Sequence, residues 1–252
     1  MEKLINNFYD VEVKDSLAII FFRKDVFQLL TMRNESDLLF ESLNTLHSDK
    51  QIKALLFLNE PGCFGEKIYD SFLNDIISTE KEGKDLQVSN INDRHKRSVE
   101  IYTLNRFVEY LVNFRKICFT VLSGNIVTPF FGVSLATDIR YATPEMNFLL
   151  AHNKYALHPS GGLPYFLIQQ IGYNKAMEVL LSEQISSEKA LELGLINKIV
   201  PSDNFLDVVI SDIEKVTKFH SCTLRRTKQL AAYTRNSLSD YFEYEGKLLN
   251  LI

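Results

Sequence analysis

The residues that decide the fold run from Ser123 to Gly172 and read SGNIVTPFFGVSLATDIRYATPEMNFLLAHNKYALHPSGGLPYFLIQQIG. An apolar run at 117–122 precedes them, and Ser-Gly-Asn then predicts a sharp turn. Thr128 and Pro129 predict a helix start, with the threonine hydroxyl as its cap and the proline where no N–H is needed. The free N–H groups of residues 130–132 at that helix start favour negative charge.

A second turn follows within the same stretch. Residues 146–150 are typical of a strand, the polar patch His-Asn-Lys-Tyr occupies 152–155, and His-Pro-Ser-Gly-Gly at 158–162 predicts a turn. We therefore expect two turns and one helix start to converge on a single pocket.

Outside this stretch, apolar periodicity predicts alternating strands and helices. The predicted elements are a hairpin at 10–22, a helix at 32–47, a buried strand at 52–58, a helix at 98–115, a short helix at 186–193, a strand at 196–200 and helices at 205–219, 223–234 and 238–251. The charge-rich residues 78–97 predict a solvated or disordered loop. Its basic run, His95-Lys96-Arg97, is expected on a solvated face, where it could also meet a phosphorylated ligand.

Bulk composition narrows the class of protein. At 252 residues, 46% hydrophobic and 24% charged, the chain predicts one large α/β domain, or one domain with an appendage. Its net charge of −4 argues against a nucleic-acid partner, because phosphate backbones require a basic surface. The amino-terminal residues lack a signal-peptide core and the sequence has no long apolar run, so we expect a cytoplasmic protein without a membrane partner. Three cysteines without metal spacing indicate neither a disulfide framework nor a metal site.

Several local patterns resemble the enoyl-CoA hydratase/isomerase (crotonase) superfamily. They are Ser123-Gly124, Asp138-Ile139, Phe148, Pro159-Ser160-Gly161-Gly162, Ile171-Gly172 with Ala176, and Gly194-Leu195-Ile196-Asn197-Lys198-Ile199-Val200. The resemblance implies an α/β fold with a crotonase-like ββα spiral core at 1–200 and a C-terminal helical region at 201–252. In the family that region packs against neighbouring subunits, which implies a homotrimer or hexamer.

The chain ends at Ile252, before the segment that closes over CoA in the family. The resemblance therefore implies one of three things: a more open acyl pocket, a wall supplied by a neighbouring subunit, or a truncated sequence.

The resemblance also implies where a thioester would bind. Two backbone N–H groups hold the thioester oxygen in the family, and by position they belong here to Phe64, beside the matching Gly65, and to Phe130. Lys67 stands where the family has an aspartate, with Glu66 next to it. The residues implied to contact substrate are Arg23 and Lys24, at the CoA phosphates, together with Gly65, Glu66 and Gly132.

The two glutamates that hydratases use to activate water are absent. By position the first falls at Gly132 and the second at His152, and neither neighbourhood contains an acid. Ordinary enoyl-CoA hydration is therefore not expected. His152 is a candidate general acid or base, because imidazole titrates near neutral pH, and Tyr155 could donate a proton or orient a carboxylate. The alternative is that His152 is a half-buried residue bonded to the backbone.

Two functional hypotheses remain open. The first is an enzyme that handles the enolate of an acyl thioester on CoA or a carrier protein, as an isomerase, decarboxylase or hydrolase, without a cofactor beyond the CoA of its substrate. The second is an inactive homologue that binds thioesters or serves as an assembly subunit. Hydration by relocated acids such as Glu66 is a third, less favoured interpretation.

Overall fold

The computed structural model describes residues 4–82 and 85–249. The strands are β1 (Leu4–Ile5), β2 (Tyr9–Lys14), β3 (Leu17–Phe22), β4 (Ala54–Asn59), β5 (Ile77–Glu82), β6 (Asp85–Ile91), β7 (Ile117–Leu122), β8 (Asn125–Val127), β9 (Ile139–Ala142), β10 (Asn147–Leu149), β11 (Gln184–Ser186) and β12 (Lys198–Ile199). The helices are α1 (Val26–Thr31), α2 (Arg33–Ser48), α3 (Glu66–Ile76), α4 (Arg94–Asn113), α5 (Thr128–Leu135), α6 (Ala151–Lys154), α7 (Leu163–Leu180), α8 (Ser187–Glu192), α9 (Phe205–Thr217), α10 (Ser221–Ala232) and α11 (Leu238–Leu249).

A seven-stranded sheet in the order β1-β2-β3-β4-β7-β9-β12 forms the centre of the molecule. Strands β3, β4, β7, β9 and β12 run parallel, and β1 and β2 add an antiparallel edge. Every residue of β4 is buried, because both faces of the sheet are covered. Leu55 and Phe57 face the larger apolar core, whereas Leu56 packs with Val209 and Ile213 of α9 on the opposite face.

Hydrogen bonds bring the turns after two neighbouring strands together. The amide nitrogen of Asn59, at the end of β4, donates to Ser123 O at 2.9 Å, and Ser123 N donates back to the Asn59 amide oxygen at 3.1 Å. A second, three-stranded sheet pairs β8 with β10 in parallel and β10 with β11 in antiparallel orientation. It places the start of α6 beside the start of α5. That both predicted turns line a single pocket stays a prediction.

The prediction of a solvated or disordered loop at 78–97 is wrong. Strands β5 and β6 form an antiparallel hairpin, with Ile77 paired to Ile91, and α4 already begins at Arg94. Asp93 caps this helix by accepting a hydrogen bond from Lys96 N at 2.8 Å. The short helix α1, between β3 and α2, was not predicted at all.

The three C-terminal helices predicted after residue 200 are present as α9, α10 and α11, with shifted ends. Lys228 of α10 is buried and pairs with Asp138 at 2.7 Å, which ties that helix to the end of α5. The division at residue 200 and a role in subunit assembly stay predictions. Within 4–82 and 85–249, no helix is both long and apolar enough to cross a membrane.

Candidate functional site

The two residues predicted to supply N–H donors lie side by side. Val127 N, just before α5, donates to Phe64 O at 2.9 Å. The rings of Phe64 and Phe130 stack with centroids 4.1 Å apart and planes 9° apart. Phe130 is the third residue of α5, so its N–H has no acceptor within the helix. The Phe64 N–H makes no hydrogen bond with any part of the chain that the structure describes.

The phenyl rings themselves belong to the core. Both are buried, and they border an apolar cavity of about 30 Å³ that is too small for an acyl chain. The other aromatic residues around this cavity are Phe22, Phe57 and Phe107. The rings therefore anchor the backbone of the two turns to the apolar core and do not form the wall of a substrate pocket.

The Thr128 hydroxyl does not cap α5, contrary to the prediction. Val127 is the residue before the helix, and Thr128 Oγ1 lies 2.9 Å from His152 Nδ1 and 3.3 Å from Leu149 O. The hydroxyl contacts residues of neighbouring elements and not its own helix, because α6 starts directly beside it.

His152 uses both ring nitrogens inside the protein. Nε2 lies 3.1 Å from Leu180 O at the end of α7, so it carries the proton, and Nδ1 accepts from the Thr128 hydroxyl. The side chain is buried, and this burial lowers the pKa of His152 to about 4. A neutral imidazole with both nitrogens occupied agrees with the structural alternative. Its catalytic role stays a prediction.

Tyr155 belongs to a polar cluster that joins α3 and α6, which we define as Glu66, Asp70, Lys154 and Tyr155. The Tyr155 hydroxyl donates to Asp70, and Lys154 Nζ lies 2.6 Å from Glu66 and 3.0 Å from Asp70. Burial, reinforced by Asp70, raises the pKa of Tyr155 to about 12. Burial opposes the charge on Lys154, but its hydrogen bonds to both carboxylates outweigh that effect and raise its pKa.

Sequence reasoning missed Asp70. The available signal was its position one helical turn after Glu66, on the same face of α3. Aromatic contacts connect the cluster to the donor turns. The ring centroid of Tyr69 lies 6.2 Å from that of Tyr155 and 5.0 Å from that of Phe27. The Phe27 centroid in turn lies 5.2 Å from that of Phe130.

A groove of about 250 Å³ opens beside these rings, between α1 and α3. Phe27 and Phe72 provide apolar walls, while Asp25, Asp75 and Lys96 provide charge. Arg23 precedes this groove in sequence but is held by Asp10, with its Nε 3.2 Å from the carboxylate, whereas Lys24 is exposed. Gly65 begins α3, where a Cβ would lie 3.0 Å from Gly62 O.

Gly132 marks a direct contact between backbones. A Cβ on Gly132 would lie 2.3 Å from Gly161 O, and one on Gly161 would lie 2.5 Å from Pro129 O. The second turn therefore rests on the start of α5, and no side chain fits at position 132 in this arrangement.

The solvated face predicted for Arg97 is also wrong. Arg97 is only 2% exposed and pairs at 2.6 Å with fully buried Glu100 of the same helix. We call Arg97, Glu100 and Glu245 of α11 the buried ionic group. Burial raises the pKa of Glu100 against the pull of Arg97, and burial raises that of Glu245 to about 8. Among the described residues, Glu100 Oε1 and both Glu245 oxygens have no hydrogen-bond partner.

The buried ionic group adjoins the second turn. Leu104, seven residues after Arg97 on α4, would lie 3.5 Å from a Cβ on Gly161, and Phe242 of α11 would lie 3.4 Å from one on Gly162. The sequence did contain a signal, since residues 97, 100, 104 and 107 share one helical stripe.

Comparison with known proteins agrees with this geometry. The enoyl-CoA hydratase/isomerase family model matches residues 81–251, more than half of the chain. The chain belongs to the enoyl-CoA hydratase/isomerase family. The predicted family membership and the predicted crotonase-like α/β fold are therefore confirmed.

Curated relatives match only in part. A probable peroxisomal enoyl-CoA hydratase 1 of Arabidopsis thaliana is 31% identical over 117 residues, which cover 46% of this chain and 44% of that protein. The enoyl-CoA hydratase EchA19 of Mycobacterium tuberculosis is 38% identical over 71 residues, covering 28% and 27%. The matches thus span less than half the length of either relative.

Solved structures resemble nearly the whole chain. An enoyl-CoA hydratase from Bacillus halodurans has a TM-score of 0.75 at 20% identity and covers 96% of this chain and 92% of its own. DspI of Pseudomonas aeruginosa has a TM-score of 0.74 at 19% identity and covers 98% and 96%. At these identities the likeness establishes the enoyl-CoA hydratase/isomerase fold alone.

Proposed function

We propose that this family member binds an acyl thioester, on CoA or a carrier protein, and stabilises its enolate with the N–H groups of Phe64 and Phe130. The hydrogen bond from Val127 N to Phe64 O carries the proposal, because it fixes the two donor turns against each other. Preorganised backbone donors of this kind stabilise a developing oxyanion by several kcal/mol (about 2.7–4 for one donor).

The reaction is an isomerisation, decarboxylation or hydrolysis and not a hydration. Two features support this choice: Gly132 leaves no room for a carboxylate, and His152 is neutral with both nitrogens occupied. Tyr155 and Asp70 transfer the proton as a hydrogen-bonded pair. In isomerisation the Asp70 carboxylate takes up the α-proton through the tyrosine oxygen and the pair returns it to the γ-carbon; in decarboxylation the departing CO₂ leaves the enolate, which the Tyr155 hydroxyl protonates before it regains a proton from water. The groove between α1 and α3 takes the acyl or pantetheine arm. Arg23 and Lys24, which directly precede its lining residue Asp25 in sequence, stay the predicted contacts of the CoA phosphates.

The alternative, an inactive thioester-binding subunit, draws support from a different observation. The buried ionic group and the Gly132–Gly161 contact close the space behind the second turn, which leaves little room for substrate there.

The test is hydrogen exchange at the α-carbon of bound thioesters. The full chain is incubated in D₂O with butyryl-CoA, crotonyl-CoA and malonyl-CoA, and deuterium incorporation and products are measured by mass spectrometry. We expect exchange or loss of CO₂ without hydration, and turnover slower by roughly a hundredfold or more in Tyr155→Phe, the usual scale for losing a general acid. Tyr102→Phe, at an exposed tyrosine, is the matched control.

Calorimetric titration separates the two candidates. Acyl-CoA and its thioether analogue, which lacks the carbonyl oxygen, are compared. Tighter binding of the thioester supports the donor pair. Binding without exchange or products would favour the inactive subunit, and equal binding of both compounds would contradict the donor assignment.

A further inference from the structure

A basic cavity of about 420 Å³ opens at the amino-terminal ends of the parallel strands β4 and β7, and the donor turns lie at the opposite ends of these strands. Lys53 precedes β4 and Lys116 precedes β7, whereas the donor turns follow the other ends of these strands. Six-residue strands separate the two edges by roughly 20 Å. The cavity is therefore distinct from the thioester site.

The walls of this cavity carry strong positive charge in a chain whose net charge is −4. Its cations are Lys50, Lys53, Arg115, Lys116 and Arg225, which we call the basic pocket. Asp49 is the single carboxylate in its lining, and it accepts a hydrogen bond from Gln51 N at 2.8 Å. Burial, together with Arg115 and Lys116, lowers the pKa of His47, so this imidazole adds no charge at neutral pH.

The five cations divide into anchored and free groups. Lys53 Nζ donates to Thr217 O at 2.8 Å, and Lys116 Nζ donates to Leu46 O at 2.6 Å. Lys50, Arg115 and Arg225 are exposed and have no hydrogen-bond or ion-pair partner within the described ranges. The anchored lysines fix the floor of the pocket, while three free cations surround its opening.

Helix α10 also begins at this pocket. Ser221 and Cys222, its first residues, line the cavity, and no acidic residue lies in its first turn. A helix N-terminus adds partial positive charge, although its N–H groups are already partly used here, since Cys222 N donates to His220 Nδ1 at 3.2 Å and Thr223 N to His220 O at 2.9 Å. Arg225 projects from the next turn of the same helix, so guanidinium and helix end face a common space.

We propose that the basic pocket binds a small molecule carrying a diphosphate group. The volume lies in the range of small-ligand sites, and two free guanidiniums match phosphate oxygens in bidentate geometry. Several cations beside one carboxylate favour a multiply charged anion over a single carboxylate or monophosphate. The site is independent of the thioester function proposed above.

Calorimetric titration of the full chain with pyrophosphate tests the proposal. We expect saturable binding that weakens with added NaCl and that falls at least roughly tenfold in Arg115→Gln and in Arg225→Gln, each of which loses a charge-assisted hydrogen bond. Arg226→Gln is the matched control, because it makes the same change on the adjacent, exposed residue outside the cavity. Because CoA itself carries a diphosphate, the thioester site is checked by α-carbon exchange and not by acyl-CoA binding, and the exchange rate at saturating acyl-CoA should be unchanged in all three variants.

Further arms identify the source of the diphosphate. Tighter binding of ADP than of pyrophosphate would indicate a nucleotide, and equal binding would indicate the diphosphate alone. The proposal is overturned by the absence of saturable pyrophosphate binding, by equal losses in all three variants, or by displacement with poly-glutamate and not with ADP.

Discussion

Gly132 and His152, the positions predicted for the two hydratase glutamates, differ sharply from the buried ionic group, although Gly132 and the helices α4 and α11 all contact the same Gly161–Gly162 turn. On one side of the turn, Gly132 makes a backbone contact and His152 is neutral and hydrogen-bonded. On the other side, α4 and α11 bury Arg97 with two carboxylates.

Buried acids are therefore present on α4 and α11, whereas the two positions predicted from the resemblance for hydratase glutamates carry Gly132 and His152. Around Gly132 and His152, the close packing of uncharged groups stabilises the structure. A buried ion pair contributes little net stability, because desolvation offsets its Coulombic attraction. The two sides should therefore respond differently to mutation and to pH.

The largest expected effect is at Arg97. Arg97→Met leaves Glu100 and Glu245 without their cation, so unfolding by urea should show a loss of about 3–5 kcal/mol at neutral pH. The loss should shrink in acid, where Glu100 takes up a proton; the Glu245 carboxyl, with its pKa of about 8, is already largely protonated at neutral pH. Arg106→Met removes an exposed cation from the same helix and should cost less than about 1 kcal/mol. Equal losses in both variants would show that the buried group is not electrostatically coupled.

Gly132→Ala should cost about 3 kcal/mol, because its Cβ would meet the rigid Gly161 carbonyl at 2.3 Å. The same urea measurement on Gly246→Ala, at a helical glycine where the added Cβ would meet no atom within 4 Å, should show a slight gain. Gly132→Glu should be less stable still and should not hydrate crotonyl-CoA. A stable Gly132→Glu variant that hydrates crotonyl-CoA would refute the argument that this side is closed.

The Glu245 carboxyl should make stability depend on pH. Its pKa is about 8 in the folded protein, above its ordinary value of 4.5, so the folded state retains a proton that the unfolded chain has lost. The contribution of Glu245 to the free energy of unfolding is therefore fully present below about pH 4.5 and declines by about 1.4 kcal/mol per pH unit up to pH 8. In Glu245→Gln this decline should disappear. Glu243→Gln, an exposed change on the same helix, should retain it, and a wild-type slope unchanged by Glu245→Gln would contradict the assignment.

The sequence predicts the central stretch at 123–172 well because its signals there are local, although it missed α1 and the β5–β6 hairpin. The Thr128-Pro129 helix start and the turn at 158–162 depend on neighbouring residues, and the family patterns cover both. The charged groups were harder, because their partners are distant in sequence: Glu245 lies beside Arg97 only after α11 has packed on α4. Arg97 was misassigned because its charge outweighed its position on an apolar helical stripe.

The sequence left open whether His152 is catalytic or structural. Mutation of Thr128, which contacts the His152 ring, tests the two interpretations. Thr128→Val removes the donor to Nδ1 and leaves a buried acceptor unpaired, which should cost about 1–3 kcal/mol in urea unfolding, whereas Thr128→Ser keeps the hydroxyl and should cost less. If His152 only anchors α6 to α5 and α7, the rate of α-carbon exchange per folded molecule should change little in either variant. That rate should also show no step with a pKa near 6.5, because burial lowers the pKa of His152 to about 4. A step near neutrality that disappears in His152→Gln would instead make this imidazole the proton-transfer group and reverse the assignment of Tyr155.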